Sequence, residues 1–258
     1  MRIARFTLNG QQAFGVVGGE PGAEVVAVVE GDPLYTPVRP TGEAVPLAQV
    51  RLLAPVLPRS KVVGVGRNYA EHAAELGNEV PPEPLIFLKP NTSVCSPGDA
   101  IRYPPQSTEV HFEGELAVVI GRLCSDVPPE RVPEVVYGYT IGNDVTARDL
   151  QRSDGQWTRA KGFDWFCPLG PWIDTDLDVS DLALTTTLNG ELKQSARTSA
   201  MVHTVPALVA YISSVMTLLP GDVILTGTPA GVGPMKPGDE VTVSLEGIGS
   251  LTNRVVAR

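Results

Sequence analysis

Residues Val110–Gly121 read VHFEGELAVVIG, and the placement of charge in them decides how the rest of the chain is read. Successive side chains of an extended strand point to opposite faces. His111, Glu113, Glu115, Ala117 and Val119 therefore share one side, and Val110, Phe112, Gly114, Leu116, Val118 and Ile120 the other. A solvated polar edge would account for an alternating pair of glutamates alone, because any half-buried strand alternates in this way. Ala117 and Val119 argue against it, since they prolong the carboxylate face into apolar surroundings. Two like charges entering such a site cost several kcal/mol each unless one is protonated or a cation joins them.

The Cβ atoms of Glu113 and Glu115 should lie roughly 6.5–7 Å apart, close enough for both carboxylates to reach one ion. An all-oxygen donor set suits a hard cation, Mg2+ first, with Mn2+ or Ca2+ as alternatives, rather than zinc. A third ligand is expected from another strand end. Asp144 in YGYTIGNDVTARD is the best candidate, because it closes an apolar run just before an expected helix; its alternative role is a helix cap or turn residue. His111 lies on the same face, but imidazole is a poorer Mg2+ ligand, so it is expected to serve as a neighbour or structural residue.

The 258 residues suffice for one large domain, or for a catalytic domain with a small appendage. Cys95, Cys124 and Cys167 are scattered and form no CxxC, which suggests neither a disulfide framework nor a thiolate zinc site and fits a reduced, cytoplasmic setting. No segment approaches the length of a membrane span. A net charge of −9 argues against nucleic acid as the main partner, yet an anionic small molecule could still bind a local cationic pocket.

Residues 1–58 hold short β-like runs (ARFTL, AFGVV, EVVAVV) followed by the Pro-rich stretch PLYTPVRPTGEAVP, which reads as a small N-terminal β appendage and linker. Residues 59–258 read as the catalytic domain. KVVGVG is an apolar strand, and RNYAEHAAELG a short polar helix closed by Gly77, with Asn68 and Glu71 at the spacing of a capping box. Further strands are expected in LIFLKP, VVYGYTIGNDV, ALTTTLNG, DVILTGTP and DEVTVSLEGIGSLTNRVV, with helices after Asp144 and across VPALVAYISSVMTLL. Strands dominate without regular strand–helix alternation, so the fold class is mostly β, α+β.

Taken together, GVGRNYAEHAAELG, FLKPNTSV, HFEGELAVVIG, GYTIGNDVTARDLQ, TRAKGFDWFCPLGPW, LNGELKQ and LTGTPAGVG resemble the fumarylacetoacetate hydrolase family over roughly residues 60–250. The resemblance implies a β-roll catalytic domain, assembled as a homodimer, with Mg2+ or Mn2+ held by three carboxylates that match Glu113, Glu115 and Asp144. It implies a small anionic 2-oxo acid substrate. His72 and Glu75 match the His–Glu dyad of the acylpyruvase-like branch, and their spacing of three independently puts them on one helical face. Lys161 matches an active-site lysine; Arg148, Gln151 and Thr228 match positions that contact the oxo-carboxylate end. Lys89 and His203 are left as structural residues, and Trp157 is expected at the far end of the pocket.

The implied chemistry runs through a metal-stabilised enolate, with Lys161 and Arg148 adding positive charge and His72 moving a proton or activating water. The leading expectation is isomerisation of 2-hydroxyhepta-2,4-diene-1,7-dioate or a related dioic acid in aromatic catabolism. Acylpyruvate C–C hydrolysis and oxaloacetate decarboxylation are the alternatives within the family. A non-catalytic module stapled by a metal is the alternative of another class, and His72, Glu75 and Lys161 count against it because a structural ion requires none of them.

Overall fold

A computed structural model describes residues 1–20 and 22–258. Strand Gly114–Ile120 lies inside a twelve-stranded sheet, antiparallel to Val136–Asn143 on one side and to Val223–Leu225 on the other. Val223–Leu225 in turn runs parallel to Val62–Gly66, which pairs with Leu85–Lys89. Beyond Val136–Asn143 the sheet continues through Cys167–Asp174 into Arg2–Leu8 and the N-terminal strands. The first residues thus extend the main sheet. Of the Pro-rich stretch expected as linker, Pro40–Pro46 forms the edge strand of that sheet, with its prolines at the ends.

Two smaller sheets complete the mostly β fold. One joins Thr146–Ala147, Val110–Phe112 and Gly233–Met235; the other joins Glu191–Arg197, Ala183–Leu188, Glu240–Leu245, Gly249–Ala257 and Ala100–Tyr103. Asn189 and Gly190, both at positive φ (53° and 81°), supply the two-residue turn between Ala183–Leu188 and Glu191–Arg197, the geometry that matches strand twist in a tight hairpin.

The opening stretch is apolar on both faces because it divides two cores. Leu116, Val118 and Ile120 pack with Val65, Ile141 and Ile224 and with Val205, Leu208, Val209 and Ile212 of helix Val205–Val215. Ala117 and Val119 pack on the other side with Val62, Val223, Leu225 and Leu169. The residues before Glu113 do not continue that strand. Val110–Phe112 belongs to a separate sheet and packs in a third cluster with Val145, Ala147, Phe166 and Met235. The single strand expected from the alternation is therefore two, and the break falls at Glu113.

Two other local expectations are corrected. Helix Val205–Val215 stops short of the apolar run that follows it, because Leu218 pairs as a β-bridge with Cys124. The short helix spans Ala70–Glu75 with Tyr69 at its N-cap and no side-chain cap. Asn68 does not form the capping box: its amide donates to the carbonyls of His203 (3.0 Å) and Thr226 (2.8 Å) and accepts the His203 N–H (2.8 Å). A fully buried amide has more to gain from three backbone partners than from one exposed helix end.

Gly114, between the two glutamates, has no room for a side chain. A Cβ there would lie 2.2 Å from Thr186 Oγ1 and 2.9 Å from Val243 Cγ1. Gly114→Ala is expected to destabilise the protein by about 1–3 kcal/mol through overpacking, read as a lower denaturation midpoint at unchanged m-value.

Candidate active site

Glu113 sits at the junction of two sheets, where its N–H donates to Asn143 Oδ1 (3.0 Å) and its carbonyl accepts the Asp144 N–H (2.8 Å). These bonds place the end of strand Val136–Asn143 beside the strand break, and so bring Asp144 to Glu113. Glu115, two residues on, projects from the same side of the sheet. The three carboxylates are 1–4% exposed, and one oxygen from each lies within 4.8 Å of the others. Glu113 and Glu115 therefore share one side, as face alternation predicts, although the strand is interrupted.

Cations surround two of the three. Lys161, at the end of the short helix Thr158–Lys161, donates to Glu113 Oε2 (2.7 Å) and Asp144 Oδ2 (2.5 Å). Arg148, which begins helix Arg148–Ser153, donates to the other Glu113 oxygen and, through Nη1, to Gln151 Oε1 (2.6 Å). Lys89, left as structural by its sequence, ends strand Leu85–Lys89 with Nζ 2.6 Å from Asp144 Oδ1, and is 1% exposed. A lysine closing an apolar strand immediately before Pro90 was the available signal.

Glu115 has no such partner among the described residues and accepts the Gly227 N–H (2.6 Å). The electrostatic consequence differs for each carboxylate. Burial pushes Glu113 towards its neutral form, but Lys161 and Arg148 outweigh it and hold the carboxyl well below its usual range. Burial pushes Glu115 the same way, and the charges of Asp144 and Glu113 add to it, so Glu115 rises well above its usual value. For Lys161 burial disfavours the charge, while Asp144 and Glu113 more than restore it. A buried three-carboxylate oxygen set with one carboxylate lacking a cation fits a hard divalent ion.

His72 and Glu75 face each other on helix Ala70–Glu75, Nδ1 to Oε2 3.3 Å. The Glu75 carboxylate also accepts the Gly231 N–H (3.1 and 3.2 Å), tying the helix to the GTPAGVG loop. Thr228 in that loop donates to the Gly114 carbonyl (2.9 Å) and accepts from Gln194 Nε2 (2.8 Å), while Gln194 Oε1 accepts the Gly114 N–H (3.0 Å). Gln194, from the LNGELKQ segment, was not singled out by its sequence, yet with Thr228 it fixes the peptide between the two glutamates. His111 pairs with Glu109 (3.0 Å) and with none of the three carboxylates.

The structure brings Glu113, Glu115, Asp144, His72, Glu75, Lys161, Arg148, Gln151 and Thr228 to the wall of one cavity of about 520 Å³. Trp157 and Phe87 line it too, their rings edge to face at 5.3 Å. A carboxylate cluster able to hold a divalent ion and backed by cations, with an imidazole and apolar ring faces in the same cavity, is suited to bind one end of a small acid through that ion and to move a proton along it. All three cysteines are free and buried, and no helix of the described residues is long and apolar enough to cross a membrane.

Residues 61–256 match the fumarylacetoacetate (FAA) hydrolase C-terminal family, and residues 1–55 match the Rv2993c-like N-terminal family. Protein Rv2993c of Mycobacterium tuberculosis is 57% identical over 264 residues, covering 100% of this chain and 99% of that protein. The crystal structure of 2-hydroxyhepta-2,4-diene-1,7-dioate isomerase from Mycobacterium marinum superposes with a TM-score of 0.92 at 54% identity, over 100% of this chain and 99% of that one. Fumarylpyruvate hydrolase from Pseudomonas aeruginosa, solved in complex with Mn2+ and pyruvate, superposes with a TM-score of 0.74 at 36% identity, over 78% of this chain and 91% of that one. The motifs, the sheet architecture, the buried carboxylate cluster and these matches converge: the chain is an enzyme of the fumarylacetoacetate hydrolase family.

Proposed function

We propose that this enzyme isomerises 2-hydroxyhepta-2,4-diene-1,7-dioate or a closely related unsaturated dioic acid, with Mg2+ held by Glu113, Glu115 and Asp144. The observation that carries the proposal is the buried carboxylate cluster with Lys161 and Arg148 at one end of a cavity whose wall also holds His72, on a chain 54% identical to a 2-hydroxyhepta-2,4-diene-1,7-dioate isomerase. A divalent cation there supplies Lewis-acid stabilisation of the negative charge that develops at the 2-oxo end of the substrate. Mn2+ serves the same donor set.

Lys161 and Arg148 keep Glu113 ionised, and Lys161 and Lys89 pair with Asp144, so the donor oxygens stay charged in a dry site. The same cations add positive potential where the substrate's carboxylate and oxo oxygens must sit. Glu75 orients His72: with Nδ1–H donating to Glu75, the lone pair is on Nε2, which makes that nitrogen the base. Isomerisation removes a proton from one position of the conjugated chain and returns it at another, and His72 is the residue on the cavity wall suited to carry it. Gln151 and Thr228 complete the wall around the oxo-carboxylate end.

The His72–Glu75 pair favours one second reading. An oriented imidazole also suits activation of water against a distal carbonyl, which is acylpyruvate C–C hydrolysis on the same site. Product identification by NMR, with the diene-dioate, acylpyruvates and oxaloacetate each supplied with Mg2+, separates the reactions. The expected result is a shifted double bond with the carbon chain intact; pyruvate as the product would transfer the assignment to hydrolysis.

Chelation is expected to abolish turnover, and added Mg2+ or Mn2+ to restore it. Glu115→Gln, which keeps the side chain's shape and removes a charge, should weaken calorimetric Mg2+ affinity by at least about tenfold. Turnover that survives full chelation would sink the metal assignment. His72→Ala should lower kcat by roughly 10²–10⁴-fold while Mg2+-dependent oxalate binding is retained. Equal loss of oxalate affinity would make His72 a binding residue instead.

A further inference from the structure

We propose that Arg67 is the second anion-binding group of this site, receiving the distal carboxylate of a dioic acid; the assignment rests on the reading of the cavity as a 2-oxo acid site. Four cationic side chains line the cavity, and three are already matched. Arg148 pairs with Glu113, Lys161 with Glu113 and Asp144, and Arg152 with Glu109. Arg67 lines the same cavity, is half-buried, and has no hydrogen bond or ion pair from its guanidinium among the described residues. A cation partly withdrawn from water without a counter-charge is an incomplete arrangement, and a bound carboxylate completes it with two parallel N–H···O bonds.

The backbone at this position supports a purpose for the side chain. Arg67 lies at φ 58°, in the left-handed region that long side chains disfavour. Glycine would adopt that turn without strain, so the turn alone does not call for an arginine. The turn is held in place from its C-terminal side by the three hydrogen bonds of Asn68.

Position separates Arg67 from the metal-side cations. It is shared, with Phe87 and Trp157, between the carboxylate-bearing cavity and an adjoining outer cavity of about 580 Å³. A ligand with its 2-oxo acid end among Glu113, Glu115, Lys161 and Arg148 can therefore run its carbon chain past the two aromatic rings and present a second charge to Arg67. Arg152 is less suited, being exposed and already paired with Glu109. Arg67 thus selects acids with two charged ends over those with one.

Calorimetry on the Mg2+-loaded enzyme, with 2-oxoheptanedioate against 2-oxoheptanoate, isolates the distal carboxylate at constant chain length. Wild type should bind the dioate at least about tenfold more tightly, the gain expected of a charged hydrogen-bonded pair. Arg67→Ala and Arg67→Gln should bring the two affinities to within about twofold by weakening the dioate alone, and Arg67→Lys should keep part of the preference, as a point charge without the fork. Retained monoacid binding shows that each variant is folded. A wild type that binds both acids equally, a preference that survives in Arg67→Ala, or equal loss of both ligands overturns the assignment. Failure of both acids to bind the Mg2+-loaded wild type overturns the reading of the cavity itself, and the assignment with it. Absence of diene-dioate isomerisation, measured separately, overturns the proposed reaction while the binding ratio still decides the role of Arg67.

Discussion

Three carboxylates buried with oxygens within 4.8 Å of one another are the constraint on which the rest of this molecule depends. Their mutual repulsion in a poorly solvated site would be met by protonation unless positive charge were fixed beside them. Lys89, Lys161 and Arg148 supply that charge from three separate elements, a strand end and two short helices, and all three are themselves buried. None of these ammonium or guanidinium groups is stable there alone. The ion cluster therefore couples the folding of the strand break at Glu113, the end of Val136–Asn143 and the segment around Lys161.

The unevenness of the cluster matters as much as its existence. Glu113 and Asp144 are neutralised from within the chain, whereas Glu115 receives one backbone N–H and lies next to two like charges. A protein that filled the site entirely with its own cations would leave nothing for an ion to do. One carboxylate left unmatched gives a divalent ion something to gain by binding.

Much of this was legible in VHFEGELAVVIG, because face alternation is a local property and buried charge is conspicuous. The pairing of Glu113 and Glu115 in the carboxylate cluster followed from period and polarity even though the strand breaks at Glu113, since Glu115 still emerges on the face of Ala117 and Val119. Lys89 left only a weak signal: a lysine closing an apolar strand is ordinary until the fold brings it 2.6 Å from Asp144. Asn68 and the end of helix Val205–Val215 failed for the same reason. Tertiary partners, the buried carbonyls of His203 and Thr226 in one case and the Cys124–Leu218 bridge in the other, overrode the local signals of cap and period. Arg67 falls between these cases, since its charge is plain in the sequence and its lack of a partner is visible only in three dimensions.

The fold also separates what must be invariant from what can change. The carboxylates sit on or beside strands of the interior, with Gly114 clamped by Gln194 and Thr228. His72 and Glu75 ride instead on a six-residue helix, too short to persist alone and held by the Tyr69–Met201 bridge, Asn68 and the Glu75–Gly231 contact. Charge stabilisation needs fixed dipoles, because reorganising them during the reaction would cost the energy they are there to save. Proton transfer needs a base at the right atom of each particular substrate, which a short segment on few tethers can provide by small shifts. Under the proposed mechanism, one inner cluster serves isomerisation, cleavage or decarboxylation alike, with the outcome set by what the outer wall holds in front of His72.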